Sequence, residues 1–306
     1  SPRDNSYDTE QSILRRMSQI TGDPKWEQIK NVKALTLEHK MAASRLGFKN
    51  FYESLHNVPS YRQGLMDGSL SVIGVLTHIL LPLHQADLNN NPFEEAKIVK
   101  ENAIIFKEKD FVLTNELLQE LQTSVDSLSA CWSGRDPSCY ELLRIVYEKN
   151  IFSLSKDIEQ MLENPPSEGD EDFQKISNLL VALNSPFSEV ERYWEYINGQ
   201  ASFDTHQGVK GLQFERVMVI IDDNAARSNT FSYDKLFGLE PKSDTDIKNE
   251  SAGKDTTLDR TRRLLYVTCS RAMDSLAIVY YTDDVDKVYS ALLSNDWFKQ
   301  DEIIRI

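Results

Sequence analysis

The chain has 306 residues, enough for about two domains at the usual ~100 to 200 residues each, and its 40% hydrophobic content is ample for a core. Its 48 acidic and 34 basic residues give a formal charge of −14. That excludes a surface coating nucleic acid broadly, because backbone binding rests on Lys and Arg neutralising phosphates, but it leaves room for a local strand-gripping channel.

Read in chain order, the first residues, SPRDNSYDTE, are polar with no apolar signal core. Val32 to Leu37 reads as a buried strand, followed by a helix from about Glu38 to His56 that offers Met41, Leu46, Phe48 and Phe51 to a core. From about Tyr61 to Tyr196 the pattern is almost wholly helical. Segments fall near Leu70 to Leu83, Phe93 to Lys107, Asn115 to Leu128, Tyr140 to Tyr147, Ser153 to Leu162, Asp172 to Leu183 and Ser188 to Ile197. Ser, Asp or Asn near several starts can cap free helical N–H groups. Breakers such as Asn89 to Pro92, Gly134 to Pro137 and Pro165-Pro166 separate the segments. The longest apolar run, Leu70 to Leu83, contains His78 and Pro82 and is short of the ~20 residues that span a bilayer, so it reads as a buried helix.

The segment Thr205 to Phe214, THQGVKGLQF, then runs into an apolar strand, Val217 to Ile221, that ends in Asp222 and Asp223. Asn224 to Thr257 is rich in Asp, Lys, Ser and Asn around a short apolar patch at Tyr233 to Leu239, and reads as a surface excursion. Next comes TRRLLYVTCSRA, Thr261 to Ala272, a helix with three arginines and an apolar stripe, followed by a second apolar strand, Leu276 to Tyr281. A helix from Val285 to Trp297 and a last candidate strand, Glu302 to Ile306, complete the chain. Strands alternating with helices predict an α/β fold with a parallel sheet covered on both faces. Cys131, Cys139 and Cys269 have no C-x-x-C pairing and no His at ligand spacing, so neither a zinc site nor a disulfide framework is expected, and a reducing cytosol is the natural home.

The two segments resemble motifs V and VI of the UvrD/Rep-like superfamily 1 DNA helicases, approximately T-x-H-x-x-K-G-L-E-F and R-R-L-x-Y-V-A-x-T-R-A. Thr205, Lys210, Gly211, Leu212 and Phe214 fit the first; Arg262, Arg263, Leu264, Tyr266, Val267, Arg271 and Ala272 fit the second. Gln207 stands at the family's His position with His206 one place early, Gln213 replaces the usual Glu, and Ser270 replaces Thr. The resemblance implies the second RecA-like domain of a P-loop-NTPase-like motor with an all-helical insertion: residues 1–60 and 199–306 as the RecA-like part, and 61–198 as the insertion. No G-x-x-x-x-G-K-[ST] occurs, and that loop is what cradles phosphates. ATP and magnesium are therefore expected to bind mainly through an N-terminal helicase domain outside this sequence, and the chain alone should not turn over ATP.

Arg271 is the expected catalytic residue, because a guanidinium delivered from the facing domain stabilises the charge that spreads over a transferring phosphoryl group. Gln213, Gly211, Lys210, Arg262 and Arg263 are candidates for the nucleotide cleft: Gln213 stands where the family's Glu bonds ribose, and Gly211 permits a turn that a side chain would obstruct. Thr205, His206, Gln207 and His39 are candidates for contact with single-stranded DNA or a single/double-strand junction, since neutral donors and acceptors grip phosphates without reading sequence. For His206 the competing reading is a satisfied loop histidine, and for His39 a solvated helix start. Tyr193, Trp194 and Tyr196 suit either base stacking or a helical core face. No metal ligands and no membrane partner are indicated. The resemblance implies 3'-to-5' movement on single-stranded DNA. Against this stands a second reading, a degenerate helicase half that serves as a scaffold or regulates a nuclease subunit.

Overall fold

A computed structural model describes residues 6–107, 114–163, 167, 172–226 and 230–306. The chain divides into two compact units, residues 1–45 with 201–306, and residues 46–200. The expected break at Pro165-Pro166 lies outside the described residues.

The first unit is α/β. Four strands, β1 (Lys33–Thr36), β2 (Phe203–Thr205), β3 (Phe214–Ile221) and β4 (Ala272–Tyr280), form a sheet in the order β2-β1-β3-β4. Every neighbouring pair is parallel, with Thr36 opposite Thr205, Leu35 opposite Val219 and Ile221 opposite Tyr280. A parallel sheet is covered on both faces, which is why β3 is a continuous apolar run rather than an alternating one; Val217 to Ile221 are fully buried. Leu35, Val217, Val219 and Ile221 point into one core with Val209, Tyr233, Leu236, Phe237 and Leu265. Residues of the other parity meet the N-terminal segment. The buried Arg216 pairs with Asp23, and Ser275 accepts a hydrogen bond of 2.8 Å from Trp26 Nε1.

That N-terminal segment forms a helix, Ser6–Thr21, which its polar composition did not announce. It is held by Leu14, which is fully buried, and by Glu10, which accepts from Arg45 at 2.7 Å and from the Tyr281 hydroxyl at 3.2 Å. The single helix expected over Glu38 to His56 is two, His39–Leu46 and Lys49–His56. Gly47 between them lies at φ +76°, a left-handed conformation that stops a helix.

The expected surface excursion is largely ordered. It carries helices Tyr233–Leu236 and Asp244–Ser251, each capped by a serine, Ser232 and Ser243. Residues 227–229 lie outside the described residues. The last candidate strand is absent: Gln300–Glu302 is a single 3₁₀ turn, and the Arg305 guanidinium beyond it lies 3.8 Å above the Tyr289 ring and 2.5 Å from Asp286. Those contacts hold the tail on helix Val285–Ser294 rather than on the sheet.

The second unit is helical, and its described residues contain isolated β-bridges but no strand. The run Leu70 to Leu83 is not one α-helix. A 3₁₀ turn, Ser71–Ile73, leads to a π-helical turn, Leu76–Leu80, and then to helix Leu81–Leu88. Pro82 explains the irregularity, because it has no N–H and its ring crowds the carbonyl four residues back. Tyr193 is fully buried against Phe48 and Phe51, with its hydroxyl donating to Leu65 O at 2.8 Å, and Tyr196 is buried beside Phe48. These two rings are core, not a stacking platform. No helix among the described residues is long and apolar enough to cross a membrane.

Candidate functional site

The motif V segment is the connection from the end of β2 to the start of β3. In a parallel sheet such a connection must travel back along the strands, and here residues 206–213 do so without a helix. Three features fix the path. The His206 N–H donates to Thr36 O at 2.8 Å, continuing the ladder one residue beyond β2. The buried Thr205 hydroxyl accepts from the Gly208 N–H at 3.0 Å. Val209, fully buried, plugs the loop into the core. Gly211 turns the chain at φ +88°, which an L side chain resists.

This alternation sorts the candidate side chains. Gln207, Lys210, Gly211, Leu212 and Gln213 are exposed, whereas Thr205 and His206 are buried. His206 lies 3.1 Å from Leu35 O through Nε2 and 3.1 Å from the Tyr233 hydroxyl through Nδ1. A carbonyl only accepts, so Nε2 carries the proton and Tyr233 donates to Nδ1. Burial lowers the His206 pKa to about 4, against the opposing pull of the carbonyls of Leu35 and Ile220. A neutral ring satisfied on both sides and sealed from solvent has no face left for a phosphate, so His206 is a structural residue of the loop. The sequence pointed only to a polar side chain beside the motif; its burial depends on Tyr233, 27 residues further on. His39 opens helix His39–Leu46 just after β1 and is half-buried.

The motif VI helix, Thr257–Cys269, begins in a capping box in which Thr256 and Asp259 exchange side-chain and backbone hydrogen bonds. Thr261, Leu264 and Thr268 form its buried face. Arg262 and Arg263 stand on the exposed face, Arg262 at 3.7 Å from Asp259 and Arg263 forked onto both oxygens of Asp255. Tyr266, although part of the motif VI apolar run, is 75% exposed, since it falls on the arginine face of the helix. Cys269 is half-buried, and burial pushes its thiol up to about 11.

Arg271 follows the helix end and immediately precedes β4. Its Nε donates to Val267 O at 2.8 Å, Nη1 to Leu212 O at 3.0 Å and Nη2 to the Ser270 hydroxyl at 3.0 Å. The first of these satisfies a carbonyl of the last helical turn, where a cation also suits the helix dipole. The second crosses to the motif V loop. One guanidinium thus joins two segments 59 residues apart in sequence, and the backbone bond from Phe214 N–H to Arg271 O at 2.8 Å lies beside it. The two motifs meet where β3 and β4 begin, while Thr205 and His206 lie at the opposite end of the sheet, where β1 and β2 finish.

At that opposite end Asp222 and Asp223 follow β3. Burial pushes the Asp223 carboxyl up to about 6, helped by the neighbouring Asp234 carboxylate and opposed by hydrogen bonds from the Asp234 N–H and others. Asp223 Oδ1 is buried without a hydrogen-bond partner, while Oδ2 accepts from Asp234 N–H at 2.9 Å. No group of three His, Cys, Asp or Glu among the described residues is arranged to hold a metal ion.

No family model matches the chain. Gabija protein GajB of Bacillus cereus (strain HuB5-5) is 25% identical to it over 284 residues. The match covers 82% of this chain and 40% of that protein, so the chain spans about two fifths of the relative's length. Beside the motif pair and the parallel sheet, this likeness supports a helicase-like relationship for the chain, at that coarse level.

Proposed function

We propose that this chain is the C-terminal region of an ATP-dependent DNA helicase or translocase, acting as the second RecA-like half of a motor whose ATP site is completed by an N-terminal RecA-like domain. The observation that carries the reading is the Arg271 guanidinium, bonded at once to the end of the motif VI helix and to the motif V loop. Among the described residues its acceptors are neutral, two carbonyls and a hydroxyl. A phosphate oxygen forms the stronger, charge-assisted bond, so an anion presented from a facing domain can draw the guanidinium away. ATP supplies the phosphoryl bond whose cleavage drives movement, and magnesium accompanies it through the N-terminal domain.

In this reading the exposed Lys210 and Gln213, on the turn made by Gly211, meet the nucleotide beside Arg271, and Arg262 and Arg263, further back along the exposed face of the motif VI helix, extend the cationic side of the nucleotide cleft. Gln207 and His39, at the other end of the sheet, meet single-stranded DNA. Movement is 3' to 5', and a nuclease subunit is the expected protein partner. The test is ATP hydrolysis, with and without single-stranded DNA, by this chain alone and by the complete protein that carries the N-terminal part. Silence from the chain and DNA-stimulated turnover from the complete protein is the expected result. An inactive complete protein would leave the motif pair as relics in a binding protein, the scaffold reading.

A further inference from the structure

Helix Tyr233–Leu236 sits in the stretch that the sequence marked as a surface excursion, yet three consecutive side chains on it reach three different parts of the first unit. Tyr233, fully buried, donates to His206 Nδ1 at 3.1 Å with its ring edge-on to the imidazole, and so holds the motif V loop. Asp234 binds the ends of two strands: its N–H donates to Asp223 Oδ2 at 2.9 Å after β3, and its Oδ1 accepts from the Tyr280 hydroxyl at the end of β4. Lys235 Nζ donates to Asp246 Oδ2 at 3.0 Å, and Asp246 Oδ1 accepts from the Thr257 N–H at 2.8 Å, the first residue of the motif VI helix. The residue before them, Ser232, donates its N–H to Thr261 Oγ1 of the same helix at 3.0 Å.

The geometry forms a frame. The motif V loop and the motif VI helix both run back across the same face of the sheet, and both bury side chains, Val209 and Leu265, in one core. Arg271 ties them where β3 and β4 begin. The Tyr233-Asp234-Lys235 triplet ties them at the other end. If Arg271 leaves Leu212 for a phosphate, the frame loses its side-chain tie at the nucleotide end, and the triplet remains to keep loop and helix in register.

We propose that Tyr233, Asp234 and Lys235 act as a clasp that couples strand occupancy at the motif V loop to the placement of Arg271, making them positioning residues for DNA-stimulated hydrolysis. This rests on the helicase reading above. Among the described residues the three bond to His206, Asp223, Tyr280 and Asp246 rather than to the exposed Gln207 or Lys210, so their effect is on coupling and not on contact. Their joint role was hidden in the sequence because the partners, His206, Asp223, Asp246 and Tyr280, are scattered over 75 positions and meet only when the sheet closes.

The test uses the complete protein with Tyr233→Phe, which keeps the buried ring and removes the donor, and with Lys235→Gln at the other arm. Basal ATPase and the ATP KM are expected within about twofold of the parent, while stimulation by single-stranded DNA falls about five- to tenfold, the scale of losing one coupling contact. Hydrogen exchange is measured on the same proteins. Amides of residues 206–212 are expected to exchange at least about fivefold faster in Tyr233→Phe, with those of β3 unchanged. Unchanged stimulation together with unchanged loop exchange in both variants would overturn the clasp. A parent protein without DNA-stimulated ATPase overturns the helicase reading instead, and loop exchange then still decides whether the clasp exists. Equal loss of basal and stimulated rates with faster exchange across β3 would show a purely structural role and also reject the proposal.

Discussion

Two titratable side chains in the first unit, the buried His206 and the half-buried Asp223, pull stability in opposite directions as pH changes. His206 has a folded pKa of about 4, below its ordinary ~6.5. Between those values the unfolded chain binds the extra proton, so the stability His206 contributes is present above about pH 6.5 and is lost as pH falls. Asp223 has a folded pKa of about 6, above its ordinary ~3.9. Here the folded state binds the extra proton, so stability falls as pH rises from about 4 through 6. Asp223→Asn keeps an acceptor for Asp234 N–H and removes the negative charge that burial and the neighbouring Asp234 carboxylate disfavour. We expect it to gain about 1 to 2 kcal/mol at pH 7.5 and nothing at pH 4, and to steepen the rise of stability across pH 4 to 6.5 by unmasking His206. Urea unfolding at a series of pH values measures both slopes; a gain at pH 4 equal to that at pH 7.5 would rule out this account. Arg271→Ala in the complete protein should lower ATP turnover about a thousandfold or more while nucleotide binding persists. Turnover and nucleotide affinity measured side by side decide it, and unchanged turnover removes Arg271 from the mechanism.

Among the elements, the motif V loop carries two glycines that are constrained for different reasons. A Cβ on Gly208 would stand 2.3 Å from Asp204 Oδ1 and 3.0 Å from Thr205 Oγ1. The Asp204 carboxylate that must give way accepts from Thr205 N–H at 2.7 Å and lies 3.6 Å from the buried Lys33. Gly211 has open space around it but a φ of +88°. Gly208→Ala and Gly211→Ala should therefore each destabilise the chain, by about 1 to 3 kcal/mol through crowding and about 1 to 2 kcal/mol through backbone strain. Only the second should be relieved by Asn in place of Ala, since Asn tolerates the left-handed region. Thermal unfolding of the four variants separates the two causes. In the sequence the Gly211 turn was legible because Lys-Gly precedes a strand. Gly208 was not, because the atoms that crowd it belong to the turn's own tertiary path.

At the scale of the molecule, the helical unit of residues 46–200 interrupts the chain between β1 and β2, which are adjacent and parallel. Parallel neighbours need a crossover of about a dozen residues or more. Helix His39–Leu46 with a short Gly/Ser linker supplies that. Replacing residues 47–200 by such a linker in the complete protein is expected to leave DNA-stimulated ATPase within a few-fold and to reduce duplex unwinding much more, read by gel assay of a partial duplex. Equal loss of both would make the helical unit part of the motor core.

The sequence by itself determined the α/β class, the parallel sheet, the β3 and β4 runs, the helical character of residues 61–196 and the position of the motif pair. These rest on local apolar periodicity and on turn residues, which a linear reading can see. Tertiary structure alone decided that His206 is sealed inside while Gln207 faces out, that Arg271 bonds Leu212 across 59 positions, and that the polar stretch after β3 holds an ordered clasp. The same reason covers all three. Each depends on which distant polar group is present to satisfy a buried donor or acceptor, and pairing between remote positions leaves no periodic trace in the chain.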